Sequence, residues 1–175
     1  MPKNSRKQVE QDEKKILSEL MKNSKQNIDT IAKHCGLSRQ KAWRLVKQLE
    51  EKGLIWGYTA ILDEKKQGVQ KFILLLKRSM KTIDRVTADQ IASYRVVTEY
   101  VKLGVNVESS YYVLGEYDWE LIFTAPDLNT AKIFCDSLLQ EYPELFSKMH
   151  LMPVLLTKRS HNILNPDKTI LRKFL

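Results

Sequence analysis

Five side chains in one short stretch carry groups that hydrogen-bond to nucleic-acid bases and phosphates. They are Arg39, Gln40, Lys41, Arg44 and Lys47, on the outward face of one predicted helix. Arg and Lys can donate to O6 and N7 of guanine, and Gln can pair with N6 and N7 of adenine. Such residues on the second of two helices joined by a short turn are typical of a helix-turn-helix that enters the major groove of double-stranded DNA.

Position along this helix predicts separate roles. Residues 39–41 occupy its first turn, which usually reaches base edges. Arg44 and Lys47 lie farther along and are expected to hold phosphates, which position a protein without specifying sequence. Ser38, the predicted N-cap, and Trp43 complete the expected DNA-binding set. Trp43 packs either against the sugar-phosphate backbone or into the core, and a merely solvated basic face is the alternative interpretation of the whole set.

The elements around this helix follow from local signals. A first helix is predicted at 9–22, Asn27 caps a second, and Gly36 ends it in a left-handed conformation. The third helix runs from Ser38 to Gly53, with a buried face at every third or fourth position. That face consists of Ala42, Leu45, Val46 and Leu49.

The alternating segment 55–63 predicts a β-ribbon or wing, and the polar stretch 64–68 predicts a domain boundary. Beyond it the pattern predicts the order β-α-β-β-α-β of a ferredoxin-like sandwich. Its strands are predicted at 72–77, 107–114, 119–125 and 149–157, and its helices at 87–103 and from the N-cap Asp127, with Leu128, Ala131, Phe134 or Cys135, and Leu138 facing inward. Pro153 predicts an edge position or a bulge for the last strand. The predicted domains are 1–66, 67–160 and a tail at 161–175, which no pattern assigns.

Charge divides unevenly between these parts. The chain carries a net charge of +8, of which residues 1–66 hold +6, residues 67–160 hold zero and residues 161–175 hold +2. The positive charge therefore accompanies the helix-turn-helix, as expected if that segment meets phosphates. A generally basic surface would not predict this division.

Composition also argues against membrane, secreted and metal-binding proteins. No apolar run approaches the ~20 residues of a membrane span, and the polar first fifteen residues do not resemble a signal peptide, so we expect a cytoplasmic protein without a membrane partner. Cys35 and Cys135 lie far apart without CxxC spacing, and the three histidines are scattered. These cysteines are expected to be small buried hydrophobes, and neither a metal site nor a cofactor is predicted.

Taken together, these motifs resemble the Lrp/AsnC family of leucine-responsive or feast/famine transcription regulators. The resemblance covers about residues 11–158. Its first part is DEKKIL at 12–17, IAKHCGLS at 31–38 and LEEKGLIWGYTAILD at 49–63, in the family's order and spacing. Its second part is LGEYD at 114–118, which is similar to the family's G-x-Y-D loop between the middle strands.

The resemblance implies an α+β chain with a winged helix-turn-helix and a ferredoxin-like effector domain, called RAM. It implies a sequence-specific DNA-binding transcription regulator that dimerises through the RAM sheet, often assembles into octamers, and binds amino acids or related small molecules near the loop. The implied effector contacts are Gly115, Glu116, Tyr117 and Asp118. A carboxylate such as Asp118 can pair with an amino group, and N–H groups at Gly115 can hold a carboxylate. The alternative is a tight turn that needs Gly115 and is capped locally by Asp118.

Two departures from the family pattern bear on function. Leu45 stands where the family commonly has Arg, which affects the details of recognition but not DNA binding itself. Met149, Leu151 and Pro153 stand where relatives often have Thr or Ser near the ligand. These residues predict a more apolar pocket, with a hydrophobic ligand or none.

Two other functions compete with specific regulation. A nucleoid-type architectural protein would bind DNA broadly with the same residues. An enzyme is the third class, because some haem-pathway decarboxylases resemble the same scaffold. The sequence shows no nucleophile–base set, HExxH motif, Walker loop or paired carboxylates at catalytic spacing, so no catalytic residue is predicted.

Overall fold

The protein forms two compact units. A computed structural model describes residues 6–93 and 100–174. One unit combines Met1–Ile61 with Thr157–Leu175, and the other is Leu62–Leu156. The sequence places the boundary at 64–68 and leaves the tail separate. The structure instead starts the second unit at Leu62 and groups the tail with the first unit.

Three helices form the main part of the first unit. They are α1 (Arg6–Lys22), α2 (Ile28–Cys35) and α3 (Arg39–Glu51). The predicted caps are confirmed: Asn27 Oδ1 accepts from the Thr30 N–H at 2.8 Å, and Ser38 Oγ accepts from the Lys41 N–H at 3.3 Å. Gly36 ends α2 with a φ of 66°, a left-handed conformation that favours glycine.

The core of this unit lies between the three helices. Ala42, Leu45 and Leu49 of α3 are buried, and Val46 packs beside them. Ile16 of α1 lies in the same cluster. The predicted inward face of α3 is therefore confirmed, and it fixes the opposite side of the helix toward solvent.

The predicted β-ribbon at 55–63 is not formed. Within the described chain this segment belongs to no helix or strand, and the Trp56 side chain is 97% exposed. Alternating apolar residues specify which face of a strand can be buried, but they do not supply the neighbouring strand to which it must hydrogen-bond.

The second unit contains the strands β1 (Gln70–Arg78), β2 (Asn106–Tyr112), β3 (Trp119–Ala125) and β4 (Phe146–Pro153). They form an antiparallel sheet in the order β2-β3-β1-β4. Its helices are α4 (Arg85–Ala92), a 3₁₀ turn at Tyr100–Leu103 and α5 (Leu128–Glu141). The last strand starts three residues earlier than predicted and lies at an edge, which confirms the inference from Pro153. Residues 94–99 of the predicted 87–103 helix, with its apolar positions Tyr94 and Val97, lie outside the described residues.

Aromatic rings fill the core of this sheet. Phe123 packs on Phe72 and on Phe134 of α5, with ring centroids 5.4 and 4.9 Å apart. The N-cap Asp127 accepts from the Thr130 N–H at 2.7 Å, as predicted. Leu128, expected to face inward, is half exposed, so the inward face of α5 begins at Ala131.

The tail has its own structure in the first unit. A two-stranded hairpin, β5 (Arg159–Ser160) and β6 (Ile163–Leu164), is followed by α6 (Lys168–Phe174). Among residues 6–93 and 100–174, no helix is long and apolar enough to cross a membrane.

Candidate nucleic-acid interface

One exposed stripe of α3 collects most of the predicted DNA-binding residues. At about 100° per residue, it spans about 140° of the helix circumference, opposite the buried face. Its members are Arg39, Gln40, Trp43, Arg44 and Lys47. The stripe combines four polar or charged groups with one indole, so it can offer hydrogen bonds and an apolar contact to the same groove.

Two members of the stripe are held only by surface ion pairs. Arg39 Nε lies 3.4 Å from Asp29 Oδ1, and Lys47 Nζ lies 3.0 Å from Glu50 Oε2. Exposed pairs of this kind contribute about 0–1 kcal/mol, so both cations can exchange their carboxylate for a phosphate. Gln40 and Arg44 have no side-chain partner among the described residues.

Lys41 is not part of this stripe. Its Nζ lies 2.6 Å from Oδ2 of Asp12, a carboxylate on α1 that is only 1% exposed. Lys41, together with a hydrogen bond from Gln8, holds the pKa of Asp12 below its ordinary value despite burial. The predicted base contact by Lys41 therefore has a competing role, since its ammonium already neutralises a buried charge.

Asp12, which holds the Lys41 side chain away from the stripe, is a residue that the sequence interpretation did not single out. It precedes the buried Ile16 by one helical turn, so it lies on the inward face of α1. A carboxylate at such a position needs a cationic partner. An acidic residue on the predicted inward face of the first helix was therefore the sequence signal that could have identified Asp12.

Trp43 and Ser38, both predicted to bind DNA, also differ in what their side chains do. The Trp43 side chain is 56% exposed, so the alternative of core packing is wrong. Ser38 uses its hydroxyl as the N-cap acceptor of α3. Ser38 therefore sets where the helix starts, while Trp43 is free to contact a ligand.

The candidate effector turn at 114–118 is held by backbone contacts. Asp118 Oδ2 accepts from the Arg78 N–H at 2.8 Å, and the Asp118 N–H donates to the Leu76 carbonyl at 2.9 Å. Asp118 thus joins the turn to β1, 40 residues away, and does not cap the turn locally as the alternative interpretation proposed. Gly115 has no positive φ, and a Cβ there would meet nothing within 4 Å, so the turn does not require glycine at this position.

Charged and aromatic side chains tie this turn to the edge strand β4. Lys148 Nζ lies 2.9 Å from Glu116 Oε1 and 5.2 Å from the centroid of the Tyr117 ring. Tyr117 Oη and His150 Nδ1 are 3.2 Å apart. The hydrogen bond between Lys148 and Glu116 lowers the pKa of the Glu116 carboxyl and raises that of the Lys148 ammonium.

The β4 side chains next to the turn differ from the apolar set that the sequence predicts. Met149 and Leu151, predicted to make it apolar, pack against the hydrophobic core of the unit. Lys148 and His150 alternate with them and lie with Tyr117 at the turn. The side chains next to the turn are therefore polar and basic, because the pleat sends alternate residues to opposite faces.

The described residues bring together no group of three His, Cys, Asp or Glu side chains that could hold a metal ion. Both cysteines are buried. Burial raises the pKa of the Cys135 thiol to about 11, which makes it a poor nucleophile and a poor ligand at neutral pH.

Comparison with known proteins agrees with this geometry. The family model described as winged helix-turn-helix DNA-binding matches residues 13–55. The transcriptional regulator AzlB of Bacillus subtilis is 28% identical over 133 residues, which cover 75% of this chain and 80% of AzlB. The leucine-responsive regulatory protein of Escherichia coli is 24% identical over 135 residues, which cover 77% of this chain and 78% of that protein.

Solved structures show the same fold. A transcriptional regulator from Neisseria meningitidis, in complex with L-methionine, has a TM-score of 0.66 at 21% identity and covers 91% of this chain and 97% of its own. A feast or famine regulatory protein from M. tuberculosis, also complexed with L-methionine, has a TM-score of 0.67 at 18% identity and covers 87% and 95%. The predicted α+β fold class is confirmed. With an exposed α3 stripe and a matching winged helix-turn-helix model, the chain is similar over about three quarters of its length to transcription regulators of the Lrp/AsnC type.

Proposed function

We propose that the chain reads its operator through Gln40, Trp43 and Arg44, with Arg39 and Lys47 on flanking phosphates. This exchanges the roles expected from the sequence for Arg39 and Arg44, because Arg39 pairs with Asp29 whereas Arg44 has no partner in the described chain. The observation that carries the proposal is that Gln40 and Arg44 point into solvent on one face of α3 without any partner in the described chain. Four residues of helix rise about 6 Å, close to two base-pair steps of about 3.4 Å. Gln40 and Arg44 can therefore address bases about two pairs apart, adenine and guanine respectively.

The indole of Trp43 lies beside Gln40 on the stripe, on the side away from Arg44. An apolar group in the major groove is suited to the methyl group of thymine. Replacing thymine by uracil in the bound DNA removes that methyl group alone. We expect the replacement to weaken binding of the wild-type protein and to leave a Trp43→Ala variant unchanged.

A homodimer, with further assembly toward an octamer, is part of the proposal. Large apolar side chains stand exposed in and beside segment 55–63, among them Leu54, Trp56, Tyr58 and Leu62. Exposed apolar surface of this extent is typical of a protein–protein contact. Two copies related by a two-fold axis would place their α3 helices about one DNA turn apart, which predicts a palindromic operator.

The experiment is selection of bound genomic DNA followed by sequencing, with purified wild-type protein and with the Gln40→Ala and Arg44→Ala variants. Each variant should lose about 1–3 kcal/mol of discrimination at one position of each half-site and keep it elsewhere. Lys14→Ala, which removes an exposed cation from α1, is the matched control. The proposal fails if wild-type protein shows no preference between fragments at low salt, a result that would favour an architectural role. It also fails if both variants retain the full motif.

We further propose an α-amino acid as effector at the turn 114–118. Two structural relatives are complexes with L-methionine, and this turn collects a carboxylate and a basic, aromatic edge. Asp118 uses one carboxylate oxygen for the Arg78 N–H, which leaves the other for a ligand ammonium. Lys148 and His150 supply the groups suited to a ligand carboxylate.

Titration calorimetry with each of the twenty amino acids tests this effector. Asp118→Asn keeps an oxygen acceptor for the Arg78 N–H but removes the charge, so it should lose at least about tenfold in affinity without unfolding. Asp136→Asn on α5 is the control. Equal binding by both variants would contradict the assignment. The proposal assigns no catalytic step, in keeping with relatives that are regulators, and it places the chain with its DNA in the cytoplasm.

A further inference from the structure

The structural division sharpens the charge asymmetry of the chain. The unit that contains α3 holds 18 Lys and Arg against 8 Asp and Glu, a net +10, whereas the other unit holds 11 against 13, a net −2. The tail, Thr157–Leu175, supplies five of those cations and one of those acids. The nineteen residues of this tail lie outside the helix-turn-helix and carry +4 of the net charge of +10 in the same unit.

The tail hairpin holds its backbone in a defined shape. His161 and Asn162 have φ of 45° and 62°, the pair of left-handed residues that a two-residue type I′ turn needs. At the open end, Asn165 donates from its backbone N–H to the Lys158 carbonyl at 3.0 Å and from Nδ2 to the Thr157 carbonyl at 2.9 Å. The exposed Lys158 and Arg159 are therefore presented by an ordered strand.

Helix α6 continues the same charge. Its start is capped by Asp167, whose Oδ1 accepts from the Thr169 N–H at 2.9 Å. Lys168 and Arg172 stand four residues apart, so they lie on one side of the helix, and both are exposed. The single acid of the tail caps this helix, and the tail keeps a net charge of +4 with that acid included.

These cations have no acidic partner in the part of the chain that the structure describes. Among the described residues no carboxylate forms an ion pair with Lys158, Lys168 or Arg172, and Arg159 contacts only the Asn162 amide oxygen at 3.5 Å. Elsewhere in the same unit Lys41, Lys47 and Lys52 do pair with acids. A unit that carries several exposed cations without acidic partners attracts a polyanion.

We propose that the hairpin and α6 form a second DNA contact, in which Lys158, Arg159, Lys168 and Arg172 hold phosphates of the duplex that α3 reads. This inference rests on the proposed DNA reading by α3. A compact unit of about 80 residues has a radius of gyration near 12 Å, so all its surface lies within about one turn of a bound duplex. Phosphate contacts of this kind add affinity for every sequence and do not alter the motif.

The test compares three full-length proteins on two fluorescent 40-base-pair duplexes, one of random sequence and one carrying the selected motif, between about 50 and 300 mM KCl. The tail variant changes Lys158, Arg159, Lys168 and Arg172 to Gln. The control variant changes four exposed cations of the other unit to Gln, with the same loss of net charge. These are Lys65, Arg85, Lys102 and Lys132.

Each phosphate contact contributes about −0.9 to the slope of log affinity against log salt. The tail variant should therefore lose about 2 to 4 from the magnitude of that slope, and at least about tenfold in affinity on both duplexes. The control should change the slope by less than about 0.5. Circular dichroism melting of all three proteins verifies that they fold alike.

A tail variant that matches the control in slope and affinity would overturn the proposal while leaving DNA reading by α3 intact. A loss confined to the motif duplex would also overturn it, because phosphate contacts are independent of sequence. Wild-type protein that binds neither duplex would instead contradict the proposed reading by α3, and this inference with it.

Discussion

Replacing Lys41 by Met probes the pair that joins α3 to α1. The Asp12 side chain is 2% exposed and the Lys41 side chain 23%, with the two charges 2.6 Å apart. Met keeps the aliphatic stem but leaves the carboxylate with only Gln8, at 3.1 Å. Breaking a buried pair costs about 3–5 kcal/mol, and partial access of water to the Lys41 end lowers the expected loss to about 2–4 kcal/mol.

The loss should depend on pH in a defined direction. In the wild type, Lys41 holds the pKa of Asp12 below its ordinary value. The pair therefore stabilises the fold fully above the unfolded pKa of about 3.9, and this stability disappears as pH falls through the lower folded pKa. Without Lys41, burial raises the pKa of Asp12, so the variant regains stability when acid protonates the carboxyl. Its deficit against wild type should be largest near pH 7 and shrink toward pH 4.

Hydrogen exchange of the α3 amides, corrected for the pH dependence of intrinsic exchange, measures this loss within the first unit alone. A double variant, Asp12→Leu with Lys41→Met, removes both charges and should return to within about 1 kcal/mol of wild type. Lys41→Met should bind DNA with unchanged salt dependence in the cold, where it stays folded. Undiminished protection of α3 together with weakened DNA binding would refute the structural role and make Lys41 a DNA contact.

Two further predictions concern buried positions. Leu45→Arg restores the residue common in the family but places a charge on the buried face of α3, so it should cost at least about 3 kcal/mol, against less than about 1.5 for Leu45→Met. Thermal melting checks both variants, and equal melting temperatures would contradict the assignment of that face. Because the pKa of Cys135 is about 11, roughly 0.1% is thiolate at pH 8, and a thiol reagent should label it only after unfolding. Labelling of the native protein at the rate of a free thiol would show that the site is open.

Local rules account for what the sequence predicted well. Asn27, Ser38 and Asp127 each cap a helix three residues or fewer away, so the relevant contacts lie within one turn. The apolar period of α3 likewise identifies its buried face. The partner of Lys41 escaped prediction because Asp12 is 29 positions away, and only the packing of α1 on α3 brings them together.

The edge strand shows a second limit of sequence patterns. Alternation in β4 separates Lys148 and His150 from Met149 and Leu151, but it does not say which set faces the helices. That choice follows from register with β1, where Leu74 of the core pairs with Leu151. The side chains next to the effector turn depended on this choice: Lys148 and His150 lie there, whereas Met149 and Leu151 pack on the core.

Net charge counted along the sequence does not show which charges lie together after folding. Counting it by structural unit changes the proposed DNA surface. Residues 1–66 hold +6, so the sequence alone assigns DNA contact to the helix-turn-helix and leaves a short basic tail without a role. Folding joins residues 157–175, including Lys158 and Arg159, to the first unit and moves residues 62–66 into the other, which raises the first unit to +10 and leaves the second at −2. The electrostatic attraction of phosphates depends on where charges lie in the folded protein and not on their order along the chain. The proposed DNA surface therefore combines stretches that lie more than 100 residues apart in the sequence, which is why the tail must be tested together with α3 in the full chain.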